Sequence, residues 1–239
     1  MTRATWRKAW LQDSARRIDE ARVWRGVETQ YLSATTLLVD SSDEHDLLEG
    51  LLEASKPPLP AKQNTRKHYL LLTPFRYIPH RPSRFRPFGR RGIWYGSLKL
   101  RTACAEVAYW RTVFIRDSAG LKNQKIVSQH TFFQARVAGT GIDLTASPWH
   151  ADRALWISED YTATHQLSRT VEAAGAQVIQ YESARSPGDC NLAALVPEAL
   201  DEPPDGLNAS QQGWTFSATA DRVLMQSNRD AADKFEWKR

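Results

Sequence analysis

Cysteine is scarce: Cys104 and Cys190 are the only 2 in 239 residues, far apart and without Cys-x-x-Cys or Cys/His spacing. This excludes a disulfide framework and a zinc site on the usual ligand set, so any chemistry falls to other side chains. The 6 histidines form no pair at metal-ligand spacing; His80 and His130 read as surface or structural residues, and neither a metal nor a resident cofactor is expected. No apolar run reaches about 18 residues, which leaves no candidate membrane span. Arg3, Arg7 and Lys8 near the N-terminus are not followed by an apolar stretch, so no secretory signal is read and a cytoplasmic protein is expected.

Acidic residues are missing from one stretch altogether. Between Ala54 and Ala105 there is no Asp or Glu but there are 12 Lys and Arg, so with a whole-chain net charge of +5 the remainder is net −7. Six of these arginines, Arg76, Arg81, Arg84, Arg86, Arg90 and Arg91, lie close to Phe75, Tyr77, Phe85, Phe88, Trp94 and Tyr95. Guanidinium forks pair with phosphate oxygens and aromatic rings stack on bases, so a nucleotide or a nucleic acid suits this segment. A solvated arginine-rich loop is the plainer alternative.

With 41% hydrophobic and 25% charged residues, the chain can fold as one large domain or two small ones. Trp6 to Arg25 reads as a weak amphipathic helix. Asp43 to Ala54 is a clearer one, with Leu47, Leu48, Leu51 and Leu52 on one stripe and Pro57, Pro58 and Pro60 behind it. The short apolar run from His68 to Thr73 reads as a buried strand, and Pro74 to Gly92 as an irregular loop holding the arginines. Ile93 to Ser97 is strand-like, and Thr102 to Phe114 has helical spacing. Thr131 to Val137 alternates as a strand, Gly141 to Leu144 reads as another, and the stretch around Trp149 and Trp156 as helix or ordered loop. Thr164 to Ala174 reads as a helix closed by Gly175. Gln177 to Tyr181, Cys190 to Val196, Trp214 to Ala218 and Arg222 to Met225 read as short strands, with a polar loop from Pro197 to Gln212. The sequon Asn208-Ala209-Ser210 has no meaning in a cytoplasmic protein. The pattern is α+β, without repeats.

Chemistry-bearing residues gather in three segments: Pro82-Ser83-Arg84-Phe85; Trp94-Tyr95-Gly96-Ser97 leading to Glu106; and Tyr181-Glu182-Ser183-Ala184-Arg185-Ser186-Pro187-Gly188 followed by Asn191. Small apolar neighbours, Ala103, Cys104, Ala105, Val107 and Ala108, surround Glu106. A carboxylate buried among them needs a partner, and the loop supplies arginine.

These blocks resemble those of the RES domain family, in the same order, over His68 to Met225. The resemblance implies an ADP-ribosyltransferase-like fold, mixed sheets around an NAD cleft, with residues 68–239 as the RES domain and 1–67 as a partly helical N-terminal extension. It also implies the toxin half of a toxin-antitoxin pair that breaks the nicotinamide-ribose bond of NAD by hydrolysis or phosphorolysis. The expected partner is an Xre-type helix-turn-helix antitoxin, through which alone DNA would be met. Arg84 is then the family arginine, on the pyrophosphate or ribose side of NAD, and Glu106 the family glutamate. Tyr95 is an aromatic for nicotinamide or ribose, and Ser183 a positioning hydroxyl. Arg76, Tyr77, Arg185 and Asn191 are further NAD-binding candidates. Inorganic phosphate is a possible co-substrate, and the N-terminal residues, with Trp6, Trp10 and Trp24, are open to packing, antitoxin contact or a homodimer face. Two alternatives stand beside this: transfer of ADP-ribose to a protein on the same scaffold, and a non-enzymatic module binding RNA or single-stranded DNA through Arg76 to Arg101.

Overall fold

The computed structural model describes residues 16–29, 34–58 and 67–238. Trp6, Trp10, Pro60, Lys62 and Arg66 lie outside them.

One mixed sheet organises these residues. Its strands are β1 (Arg16–Glu28), β2 (Trp94–Ser97), β3 (Ile126–Asp143), β4 (Val178–Glu182), β5 (Cys190–Ala194), β6 (Leu200–Asp201), β7 (Gln212–Ala218), β8 (Arg222–Ser227) and β9 (Lys234–Lys238). Pairing runs from β1 through β2, β5 and β4 to β3, and β3 pairs again with β1. This half of the sheet therefore closes on itself, which removes exposed strand edges. β7, β8 and β9 continue from β3 as an open antiparallel wing. The seam is the 18-residue β3: its first part pairs with β7, its middle with β1, and its end with β4 in parallel.

Among the described residues five α-helices pack around the sheet or extend from it: α1 (Ser42–Ser55), α2 (Tyr69–Arg76), α3 (Leu100–Asp117), α4 (Arg153–Ile157) and α5 (Thr162–Ala173). α3 presents Ala103, Cys104, Ala108 and Ile115 to Phe132, Trp214 and Phe216 of β3 and β7. Its small residues let the helix approach the sheet closely, as side-chain volume sets interaxial distance. A second core, with Val23, Trp94 and Phe133, lies against α2; a third, with Phe85, Trp149, Trp156 and Leu167, lies under α5. As expected, Gly175 follows α5 in a left-handed conformation (φ +80), which a residue without Cβ adopts freely.

Three sequence expectations change. Residues 16–25, expected to be helical, belong to β1, whose pairing with β3 is interrupted by a register shift between Ile18 and Ala21. The bulge breaks the period-2 alternation by which a strand is recognised. This strand is part of the main sheet although it lies within the expected N-terminal extension. His68 to Thr73 is not a strand: Tyr69–Arg76 is helical, His68 Nδ1 accepts from the Leu70 amide at 3.2 Å, and Leu71, Leu72 and Phe75 are buried. A short apolar run is compatible with either state, and packing decides. Finally, the two strands expected at Thr131 and Gly141 are one, running through Gly139 (φ +152).

Candidate active site

α3 carries Glu106, and its first turn is tied to the segment that carries Ser183. Asp189 accepts hydrogen bonds from Thr102 Oγ1 and Ser186 Oγ, each at 2.8 Å, and pairs with Lys99. Lys99, then Ser186 and Thr102, hold this carboxyl down at about 2. A carboxylate here also complements the positive end of the helix dipole.

Glu106 is partly buried. Its Oε1 accepts from Ser183 Oγ at 2.7 Å and from Asn191 Nδ2 at 2.8 Å. Among the described residues Oε2 has no hydrogen bond. Ser97 Oγ donates to Asn191 Oδ1 at 2.6 Å, and Ser97 and Asn191 are cross-strand neighbours on β2 and β5. The carboxylate accepts only, so the Asn191 amide nitrogen must face Glu106. Ser183 is almost fully buried and accepts the Arg185 and Ser186 amides at 3.1 Å each. Its hydroxyl is thus engaged in three hydrogen bonds.

Gly96 lies between Tyr95 and Ser97 because nothing larger fits. A Cβ there would stand 2.7 Å from both the Trp94 ring and Val23.

The Tyr95 hydroxyl accepts the Phe85 amide at 3.1 Å and shares a 2.9 Å hydrogen bond with Ser83 Oγ. Burial raises its phenol above the usual range. It thereby pins the small bridge between Ser83 and Arg86 and with it Arg84. Arg84 Nη1 donates to the carbonyls of Trp156 (2.5 Å) and Ser158 (2.8 Å), and its guanidinium lies 5.1 Å from the Tyr161 ring. Among the described residues no carboxylate pairs with it.

These groups line one cavity of about 450 Å³, within the usual range for small-molecule sites. Arg84, Tyr95, Glu106, Arg185 and Asn191 are all in its wall, with Ser183 directly behind Glu106. Arg185 pairs with Glu159 at 2.6 Å and packs over the Tyr109 ring.

Arg76 and Tyr77 do not line the cavity. Arg76 donates to Pro57 O at 2.6 Å and pairs with Glu53 of α1 at 3.0 Å. Their proximity to the loop in sequence is undone where α2 ends. The other loop arginines also have local tasks: Arg81 pairs with Asp117, Arg86 donates to the carbonyls of Pro79 and Arg81, Arg90 pairs with Glu172, and Arg91 donates to three carbonyls including Phe75 O. The cluster mostly ties its loop to neighbouring elements, Arg76 to α1, Arg81 to α3 and Arg90 to α5.

Sequence reasoning missed Arg25 and Arg111, both in the cavity wall. Arg25 Nη1 donates to Tyr95 O at 2.8 Å and the guanidinium lies 5.3 Å from the Trp94 ring. Burial lowers this group to about 10, its Nε is without a partner, and among the described residues no carboxylate faces it. Its signal was hidden by the helical reading of β1. His130 lines the cavity as well, buried and stacked on Phe216 at 3.9 Å.

A search of curated proteins finds no match. Among solved structures, a chain of the crystal structure of the M. tuberculosis MbcT-MbcA toxin-antitoxin complex aligns with 84% of this chain and 85% of its own, at 10% identity and a TM-score of 0.44. The sequence matches the RES domain over residues 60–218, which takes in Arg84, Tyr95, Glu106, Ser183 and Asn191. The chain belongs to the RES domain family.

Proposed function

We propose that the protein breaks the nicotinamide-ribose bond of NAD, by hydrolysis or phosphorolysis, as the toxin of a toxin-antitoxin pair. The observation that carries this reading is Glu106, fixed through Oε1 by Ser183 and Asn191 with Oε2 left for a ligand. In the same cavity stand Arg84 and Arg25, cations without a carboxylate partner among the described residues.

The chemistry fits that arrangement. As the ribose C1′–N bond breaks, its electron pair goes to the pyridinium nitrogen, which loses its positive charge, while the ribose becomes oxocarbenium-like. A carboxylate held at the ribose hydroxyls stabilises the cation without reorganising. Removing such a preorganised electrostatic group costs about 10² to 10³ in rate, or roughly 3 to 4 kcal/mol. Arg84 and Arg25 hold the pyrophosphate, and Tyr95 offers its ring to the nicotinamide. An oxygen of water or phosphate then bonds to C1′. Water gives ADP-ribose and releases a proton; phosphate gives the 1-phosphate ester of ADP-ribose.

Family membership supports the toxin role, with an Xre-type antitoxin blocking the cleft. The nucleic-acid reading has less to rest on, because Arg76, Arg81 and Arg90 are each already paired with a carboxylate.

Incubating the protein with NAD, with and without phosphate, and following the products by NMR tests this. Nicotinamide and one of the two ribosyl products are expected. Inducing the protein without its antitoxin should arrest growth, and the Glu106→Ala variant should not.

A further inference from the structure

Beyond Glu106 the wall of the same cavity continues along α3. Trp110 and Phe114 follow Glu106 by one and two turns on the same helix face, which at ~1.5 Å per residue carries the wall about 12 Å onward. β1 runs beside it. Trp24 pairs with Ser97, in the hydrogen-bond chain of Glu106, and four residues later Glu28 pairs with His130 of β3. At ~3.3 Å per residue that is roughly 13 Å. This matches the reach of an extended dinucleotide from one ribose to the other.

The far end carries groups of definite chemistry. Glu28 is 55% exposed and accepts from Arg111 Nη1 and Nη2 at 3.3 and 3.4 Å. These bonds are long, so its oxygens keep acceptor capacity. Arg111 Nε and His130 Nδ1 are buried without a hydrogen-bond partner, and His130 is only 4% exposed. Both residues border the cavity beside Glu28. Trp24 and Trp110 add flat apolar faces to the same wall.

We propose that the part of the cavity walled by Glu28 takes the adenosine half of the dinucleotide and that Glu28 reads its ribose, accepting from the 2′-hydroxyl and repelling a 2′-phosphate. The protein would thus use NAD and reject NADP. A carboxylate at the ribose hydroxyl and an arginine at a 2′-phosphate are the two common solutions to this choice. Here both are present, and Glu28 neutralises the arginine that would otherwise welcome the phosphate. The inference rests on the NAD reading of the site.

The test is nicotinamide release from NAD and NADP by wild type, Glu28→Gln and Glu28→Ser, each shown folded by circular dichroism. Wild type should favour NAD in kcat/KM by about 100-fold. Either variant should raise kcat/KM for NADP by about tenfold or more and lower that for NAD a few-fold. Equal use of both dinucleotides by wild type overturns the proposal, as does undiminished rejection of NADP by the variants. Cleavage of neither by folded wild type instead overturns the NAD reading, and the inference with it.

Discussion

Ser183 Oγ stands 2.7 Å from Glu106 Oε1, donating to it while accepting two backbone amides of its own turn. The serine thus transmits the geometry of the loop after β4 to a carboxylate on α3. Asn191, held by Ser97, does the same from β5.

Both donors converge on one oxygen, so their removal should be strongly non-additive. Ser183→Ala and Asn191→Ala are each expected to slow nicotinamide release by about 10- to 100-fold, as lost hydrogen bonds to a charged group do. The double variant should fall short of the product of the two, because either loss already frees the carboxylate. A double-mutant cycle on kcat measures this. Full additivity would show that the two act separately.

Arg84 and Arg25, without a carboxylate partner among the described residues, should separate stability from binding. Arg84→Met removes the guanidinium hydrogen bonds to the carbonyls of Trp156 and Ser158, at a cost of about 2 kcal/mol in urea unfolding, besides raising KM for NAD. Arg25→Met removes a charge that burial already disfavours. Its stability should hold or rise, while KM rises about tenfold or more. If Arg25→Met destabilises the fold and leaves KM alone, the arginine is structural.

Two strongly displaced groups shape the response to acid, beside smaller shifts at carboxylates such as Glu182 and Glu159. Asp189, held at about 2 against an ordinary 3.8 by Lys99, Ser186 and Thr102, is harder to protonate folded than unfolded. Its contribution is full above about 4 and is lost as pH falls toward 2. His130, lowered from 6.5 to about 4 by burial and then by Arg111, is neutral in the folded state. Its contribution is full above 6.5 and is lost as pH falls from there to about 4. Urea midpoints measured against pH should decline in both windows. Asp189→Asn should flatten the lower window and His130→Phe the upper; an unaltered slope in either variant contradicts the assignment.

The arginines outside the cavity should be expendable for activity. Arg90→Ala breaks an exposed ion pair with Glu172, expected to cost at most about 1 kcal/mol and to leave nicotinamide release unchanged. A large loss of activity would place Arg90 on the substrate path.

The legible part of the site was the part carried by short contiguous segments. Arg84, Tyr95, Glu106, Ser183 and Asn191 stand in three of them, and the fold brings all three to one cavity. Arg25 was not legible because it enters the cavity only when β1 closes the ring against β2 and β3, and the register shift after Ile18 disguises that strand. Arg76 and Tyr77 show the converse, neighbours in sequence that α2 directs elsewhere. Strand β9 went unread for a similar reason. In Lys234–Lys238 charged residues alternate with Phe235 and Trp237, which pack against the core beneath α3, so its apolar content is too low to stand out.

Nicotinamide release from NAD by the folded protein and by Glu106→Gln tests the central claim most directly, since the variant keeps the side chain's shape and removes its charge. Release by wild type and a loss of about 10² to 10³ or more in the variant is the expected result. Equal release by both, or none by wild type in a folded state free of antitoxin, would contradict it.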